Sequence, residues 1–264
     1  MKRFDSTVTE LQPVASDYFR ITFQWPVTLP LPQPGCFLTV SAGSGFDPAL
    51  RRPFAFSDVD PARGTAAFIF QRRGRGTAWL AERRPGDSLD VLGPLGAGFR
   101  APPSGARPVL VAGGIGLGPM LFLARQLHQT AAAGRNEVPI LVLGYRSASQ
   151  APSVDLPPGS VICTDDGMRG FHGSAVAYLD QLADALPPYY YACGPVAMMA
   201  AIDRLAAARA GQADWQAATE QWMACGVGAC QGCVIPFKDG GFKRCCADGP
   251  VFNGRMVDWV GLQE

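Results

Sequence analysis

Three hydrophobic patterns follow one another along this chain. Residues 1–101 hold short apolar runs at Tyr18–Phe23, Gly35–Val40 and Ala66–Phe70. Turn-rich stretches at Pro32–Gly35, Ser41–Gly45 and Pro61–Gly64 separate them. Short strands at near-regular spacing predict an antiparallel barrel or sandwich. One helical segment interrupts them, Ala78–Arg84, opened by Gly76-Thr77 and closed by Pro85-Gly86. Residues 102–212 change period. The continuous apolar runs Val109–Ala112, Ile140–Gly144, Ser160–Cys163 and Tyr189–Ala192 alternate with helical stretches at Pro119–Thr130 and Val196–Ala210. Uninterrupted apolar strands joined by crossover helices predict a parallel sheet covered on both faces. Residues 213–264 are rich in cysteine and glycine and have little periodicity. So short a segment buries too little apolar surface to hold a core unaided, and an inorganic staple or a docking surface is expected. The predicted fold is multi-domain α+β: an N-terminal antiparallel β-barrel, a parallel α/β nucleotide-binding domain and a small C-terminal domain.

Composition and charge remove several function classes. With 48% hydrophobic and 17% charged residues the chain is of ordinary globular composition. Its net charge of +1 supplies no global field toward nucleic acid or an anionic membrane. The arginines do gather locally, at Arg51-Arg52, Arg72-Arg73-Arg75 and Arg83-Arg84, as suits a small phosphate-bearing ligand. The most apolar uncharged stretch, Pro108–Ala124, falls just short of a membrane span and is broken by Gly113, Gly114, Gly116, Gly118 and Pro119, so it reads as a buried strand entering a glycine loop. The first ten residues lack the apolar run of a signal peptide. A cytoplasmic location is therefore expected, where clustered cysteines serve as metal or cluster ligands more often than as disulfides.

Five of the eight cysteines lie between Cys225 and Cys246. The spacing Cys225-x4-Cys230-x2-Cys233 with a distant fourth cysteine is that of plant-type [2Fe–2S] ligation. A zinc site is the competing reading, but zinc ribbons favour paired C-x2-C knuckles and this tail has one. Spacing alone does not choose between Cys245 and Cys246 as the fourth ligand. A second motif, Val109–Ala112 running into Gly113-Gly114-Ile115-Gly116-Leu117-Gly118-Pro119, reads as strand, glycine turn and helix with proline in its first turn. Such a turn presents backbone amides and a helix N-terminus to a pyrophosphate, although a plain packing turn has the same pattern. Thr164-Asp165-Asp166-Gly167 and Cys193-Gly194-Pro195 follow later strands and would line the same crevice. In the β-rich region, Arg52 and a helix start capped by Thr77 can share another pyrophosphate, with Phe54 or Phe56 flanking an isoalloxazine ring. A nicotinamide gives up two electrons as hydride and an iron–sulfur cluster takes one at a time, so a flavin is the expected converter between them. His128 and His172, the only histidines, read as structural or solvated, and no general acid or base is expected.

In this order the three blocks resemble the ferredoxin-reductase-like flavoproteins, and more closely the electron-transfer subunits of NAD-linked (class 1B) dihydroorotate dehydrogenases. The stretches carrying the resemblance are Leu50–Pro53, Gly74–Thr77, Gly93–Phe99, Ala112–Gly116, Thr164–Gly167, Tyr191–Pro195, Met223–Cys230 and Cys246–Phe252. The resemblance implies FAD on residues 1–101, with Arg52, Pro53, Phe54, Ala55, Ile69, Phe70, Gln71, Gly76 and Thr77 as contacts. It implies NAD on residues 102–212 through Gly113, Gly114, Gly116, Asp165, Cys193, Gly194 and Pro195, with Cys193 near the nicotinamide. It assigns the cluster to residues 213–264, held by Cys225, Cys230, Cys233 and, through the Cys-x-Asp-Gly-Pro pattern, Cys246. The implied partner is a catalytic FMN-containing chain that oxidises dihydroorotate in pyrimidine synthesis, two of each chain assembling. A related subunit of a hydrogenase or of a ferredoxin–nicotinamide transhydrogenase is the alternative. Three departures stand out. Ala55 replaces a serine, with Ser57 as substitute hydroxyl. Gln71 stands where arginine is common, with Arg72 or Arg73 as replacement. Arg146 keeps NADP open beside NAD.

Overall fold

The computed structural model describes residues 1–43, 49–135, 137–182, 185–209 and 214–262. Six strands close the N-terminal barrel: β1 (Lys2–Ala15), β2 (Tyr18–Gln24), β3 (Phe37–Val40), β4 (Arg52–Asp60), β5 (Thr65–Gln71) and β6 (Ser88–Leu95). Around the barrel the order is β1-β2-β5-β4-β3-β6, every neighbouring pair antiparallel. Closure leaves no unpaired edge. The pleat turns Val8, Ile21, Phe23, Leu38, Val40, Phe56, Phe68, Phe70, Leu89 and Val91 into one interior. β1 and β6 did not stand out in the sequence. β1 is mostly polar because one face meets water, and β6 contains Gly93-Pro94. Both owe their place to pairing with each other, Lys2 opposite Gly93 through Thr7 opposite Ser88.

The helix expected over Ala78–Arg84 lies earlier, as α1 (Arg75–Ala81). Thr77 is not the residue ahead of the helix. Its hydroxyl sits inside the first turn and accepts the N–H groups of Arg73 (2.9 Å) and Gly74 (3.0 Å). It thereby satisfies backbone donors the helix start leaves open, and the helix begins upstream of it.

A seven-stranded sheet follows, built on β7 (Arg107–Gly113), β8 (Ile140–Tyr145), β9 (Val161–Thr164), β10 (Phe171–His172) and β11 (Pro188–Cys193). These run parallel in the order β10-β9-β8-β7-β11. After a 3-10 turn at Gly114–Gly116 comes α2 (Leu117–Ala132), so the helix starts two residues before the expected Pro119. The proline sits within the first turn, where its missing N–H leaves no bond unmade. α3 (Ala175–Gln181), opened by the Ser174 hydroxyl, and α4 (Val196–Ala208) complete the layer. Among the described residues no helix is long and apolar enough to cross a membrane.

The expected boundary at 212/213 lies outside the described residues. Beyond it two strands of the tail join the sheet. β12 (Gln216–Ala218) pairs parallel with β11, and β15 (Val251–Asn253) pairs antiparallel with β12, so both extend the same sheet. Between them β13 (Val234–Pro236) and β14 (Phe242–Arg244) form a hairpin. Trp215, Ile235, Val257 and Trp259 share one apolar cluster with Val109, Val111 and Ala192. The tail borrows its core from the sheet, which solves the shortage of apolar surface its length imposes.

Candidate functional site

The expected residues fall into three groups, on the barrel, at the ends of β7 and β11, and in the cysteine loop. In the barrel, the Arg52 side chain lies against the start of α1: a Cβ placed on Gly76 would stand 3.2 Å from Arg52 Nε. Arg51, by contrast, is consumed by the fold, since its guanidinium binds the Thr39 hydroxyl and carbonyl and the Asp90 carboxylate. Arg72 pairs with Asp17, and Arg73 donates to Gln71 Oε1 at 2.6 Å, so the Gln71 side chain engages the very arginine expected to replace it. The Phe54 ring stacks on Phe68 at 4.6 Å and Phe56 is wholly buried. Strand alternation places both rings on the face of β4 that packs against the barrel core, Phe56 fully and Phe54 in part. Ser57 is 1% exposed and its hydroxyl has no partner among the described residues; it packs beside Gly118 at the start of α2 together with Ala55 and Ile69. It faces the seam between barrel and sheet and does not lie on an open surface.

Across that seam the nucleotide residues converge at the C-terminal ends of β7 and β11. A Cβ on Gly116 would fall 2.0 Å from the Cys193 carbonyl oxygen, and one on Gly113 would fall 2.6 Å from Pro195. The glycine turn and the Cys193-Gly194-Pro195 turn are thus packed backbone to backbone. Cys193 is half-buried; burial is the main cause that pushes its thiol pKa up, followed by the charges of Glu220 and Cys245. It is a neutral thiol near neutral pH. Asp165, exposed, follows β9, two strands from β7 in the sheet, where Asp166 accepts the N–H groups of Ala148 and Met168. A cleft of about 400 Å³ opens there between the β1–β2 turn and the loops after β8 and β9, lined by Ser16, Ser149, Ser153 and Arg169. Asp58 ties barrel to sheet: its carboxylate accepts from Arg20 and from Arg125 of α2, each at 2.7 Å.

The third group is the cysteine loop. Its backbone turns N–H groups onto sulfur: Val227 (3.5 Å) and Cys230 (3.4 Å) donate to Cys225 Sγ, Gly228 (3.1 Å) to Cys246 Sγ, and Cys246 (3.4 Å) to Cys233 Sγ. These donors stabilise thiolates. The Val227 and Cys230 amides bring the Cys225 thiol down to about 6, whereas burial and the neighbouring Cys233 push Cys246 up to about 12. Backbone donors group the thiols in two pairs, Cys230 N–H onto Cys225 Sγ and Cys246 N–H onto Cys233 Sγ. Two thiol pairs match the two-iron ligation that the cysteine spacing predicts. Cys245 faces the other way. It is fully buried, its Sγ donates to the Thr219 carbonyl at 3.3 Å, and burial raises it to about 12.

The pair Arg244 and Asp248, which brackets Cys245-Cys246, went unnoticed in the sequence, although oppositely charged residues four apart around a ligand are a legible signal. Glu220 was missed as well. It shows itself only through the fold, which brings it toward both Cys193 and Cys245.

A family model described as the iron-sulfur cluster binding domain of dihydroorotate dehydrogenase B matches residues 220–258. The dihydroorotate dehydrogenase B (NAD(+)) electron transfer subunit of Geobacillus thermodenitrificans is 36% identical, over 95% of this chain and 96% of its own. That of Desulforamulus reducens is 34% identical over 98% and 99%. Among solved structures, an NADH-dependent reduced ferredoxin-NADP oxidoreductase superposes with a TM-score of 0.84 at 25% identity, over 98% of this chain and 91% of that one. Phthalate dioxygenase reductase shares the fold, with a TM-score of 0.62 at 19% identity over 99% and 79%. With barrel, sheet and cysteine loop all matched end to end, the chain belongs to the dihydroorotate dehydrogenase B electron transfer subunit family.

Proposed function

We propose that this chain carries electrons from a dihydroorotate-oxidising partner chain to NAD⁺, and that it does so with bound FAD and a [2Fe–2S] cluster. The observation that carries the reading is the paired-thiol loop, built into the same core as the nucleotide sheet and furnished with backbone donors at sulfur. When bound, the cluster supplies one-electron carriage and the flavin converts between one-electron and hydride chemistry. Cys225, Cys230, Cys233 and Cys246 would hold the cluster; the turning away of Cys245 toward Thr219 supports that choice.

Arg52 and the start of α1 at Gly76-Thr77 would hold the flavin pyrophosphate. Pro53, Ala55, Ile69, Phe70, Gln71 and the Phe54 backbone would frame the ring system. Gly113, Gly114, Gly116, Gly194 and Pro195 would seat the nicotinamide half of NAD, with Cys193 a neutral, apolar wall. The cleft at Ser16, Ser149 and Arg169, with Asp165 and Arg146 nearby, would receive the adenylate half. The chain's own work is orientation and exclusion of water, consistent with hydride transfer needing no side-chain acid or base.

A groove of about 290 Å³ lined by Met1, Pro94–Ala97, Gly226, Val227, Cys246 and Ala247 opens against a cluster ligand. Trp222, 91% exposed just ahead of Cys225, and Val227, 39% exposed, are apolar side chains beside that loop. They would meet the partner, an FMN-containing catalytic chain, in an assembly with two of each. A cytoplasmic location, where clustered thiols serve as cluster ligands, belongs to the same reading.

The test is the visible spectrum of the purified protein. NADH should bleach flavin and cluster bands directly, and dihydroorotate should do so only with the partner present. The TM-score of 0.84 to a ferredoxin-NADP oxidoreductase favours a second reading, a subunit serving another complex such as a transhydrogenase or hydrogenase. Bleaching by NADH but never by dihydroorotate would select it.

A further inference from the structure

We propose that the Arg244–Asp248 pair latches the two ligand segments together and sets, by the balance of its charges, how readily the cysteine site accepts an electron. The inference rests on reading that site as a [2Fe–2S] centre. Asp248 takes the guanidinium side-on, with Arg244 Nε to Oδ2 at 3.0 Å and Nη2 to Oδ1 at 2.9 Å, and also accepts the Arg244 backbone N–H at 2.8 Å. That geometry is the strong, bidentate form of the interaction. It leaves Nη1 free of the carboxylate, and Nη1 donates to the Gly228 carbonyl at 3.1 Å. The Gly228 N–H donates in turn to Cys246 Sγ at 3.1 Å. A closed circuit therefore runs from the turn holding Cys246, through the guanidinium, across to the loop holding Cys225, Cys230 and Cys233, and back onto the Cys246 sulfur. Nη1 also stands 3.3 Å from where a Cβ on Gly228 would lie, so the cation rests against the loop between Cys225 and Cys230. Lys243 is the other cation near Asp248.

A cluster on four thiolates is an anion, and accepting an electron makes it more negative. A guanidinium beside it favours the reduced form; the carboxylate beyond opposes it. Since the pair is neutral as a whole, removing either charge unbalances it in opposite senses. Asp248→Asn leaves the cation uncompensated and eases reduction. Arg244→Gln leaves the carboxylate uncompensated and hinders it. Arg244→Lys keeps the charge while giving up the side-on pair and the Gly228 bond, separating charge from latch.

The experiment is an anaerobic redox titration of the purified holoprotein, followed by visible and electron paramagnetic resonance spectra and normalised to iron and flavin content. At the native midpoint, the ratio of reduced to oxidised cluster should rise roughly 3- to 30-fold in Asp248→Asn and fall by a similar factor in Arg244→Gln. Both shifts should shrink at high ionic strength, because the pair is about one-third exposed. Arg244→Lys should keep the native midpoint with reduced iron content. Shifts of the same sign, or fully loaded variants with no shift, overturn the proposal. If Arg244→Gln holds no iron, Asp248→Asn decides: an unshifted, iron-replete midpoint there is equally fatal. A native protein without a [2Fe–2S] spectrum would instead overturn the functional reading beneath it.

Discussion

The glycine turn at 113–118 and the cysteine loop at 225–233 look alike in sequence, both glycine-studded and both beside a cofactor position, yet they need glycine for opposite reasons. Gly116 has an ordinary helical backbone, with φ of −59°, and is required because no room exists for a side chain against the Cys193 carbonyl. Gly228 has φ of +84°, a left-handed conformation that turns its N–H onto Cys246 Sγ. The first glycine serves packing between two strand ends; the second serves the electronic environment of a sulfur. A glycine-rich motif is therefore not one signal but two, told apart only by dihedral angle and by what lies where a Cβ would be.

The largest effect should come from breaking the packing turn. Gly116→Ala should cost about 3 kcal/mol or more, since backbone must move to admit the methyl group, and chemical denaturation would measure it. Loss of barely any stability would mean the two turns are not seated on each other. Next, Cys230→Ser should abolish the cluster bands while flavin stays bound and NADH still reduces it, because Cys230 is exposed and contributes little to the core. Disappearance of flavin in that variant would show the loop to be structural to the barrel. Gly228→Ala should cost about 1–3 kcal/mol in backbone strain. It should also lower iron content, because the added Cβ would stand 2.8 Å from that of Ala247; full iron loading with native stability would refute the assigned role. The smallest effect belongs to Cys245→Ser. A hydroxyl can make the same bond to the Thr219 carbonyl, so iron content and spectrum should stay native. Loss of iron there would transfer the fourth-ligand role from Cys246.

Much of this was legible beforehand because it is local. The spacing of Cys225, Cys230 and Cys233 is a property of a few adjacent residues, as are the apolar runs that became β7, β8, β9 and β11. Where the reading slipped, the deciding interaction was remote or fine-grained. α1 starts upstream of Thr77 because a hydroxyl caps backward, a choice residue type alone does not reveal. Strand pairing stacks the Phe54 ring on Phe68, a contact that residue type alone does not reveal. Gln71, taken as a gap to be filled by Arg73, turned out to be that arginine's own hydrogen-bond partner.

The sequence by itself determined the order of the three blocks, an antiparallel β block ahead of a parallel sheet, and the three closely spaced thiols, because hydrophobic period and ligand spacing are encoded in neighbouring residues. Tertiary structure decided the rest: that Cys246 joins Cys233 while Cys245 turns to Thr219, that Arg51 is spent on Thr39 and Asp90 while Arg52 lies against α1, and that the tail completes the sheet through β12 and β15. Each of those outcomes depends on contacts between residues far apart in the chain, and a tail too short for its own core could be stable only by finding them.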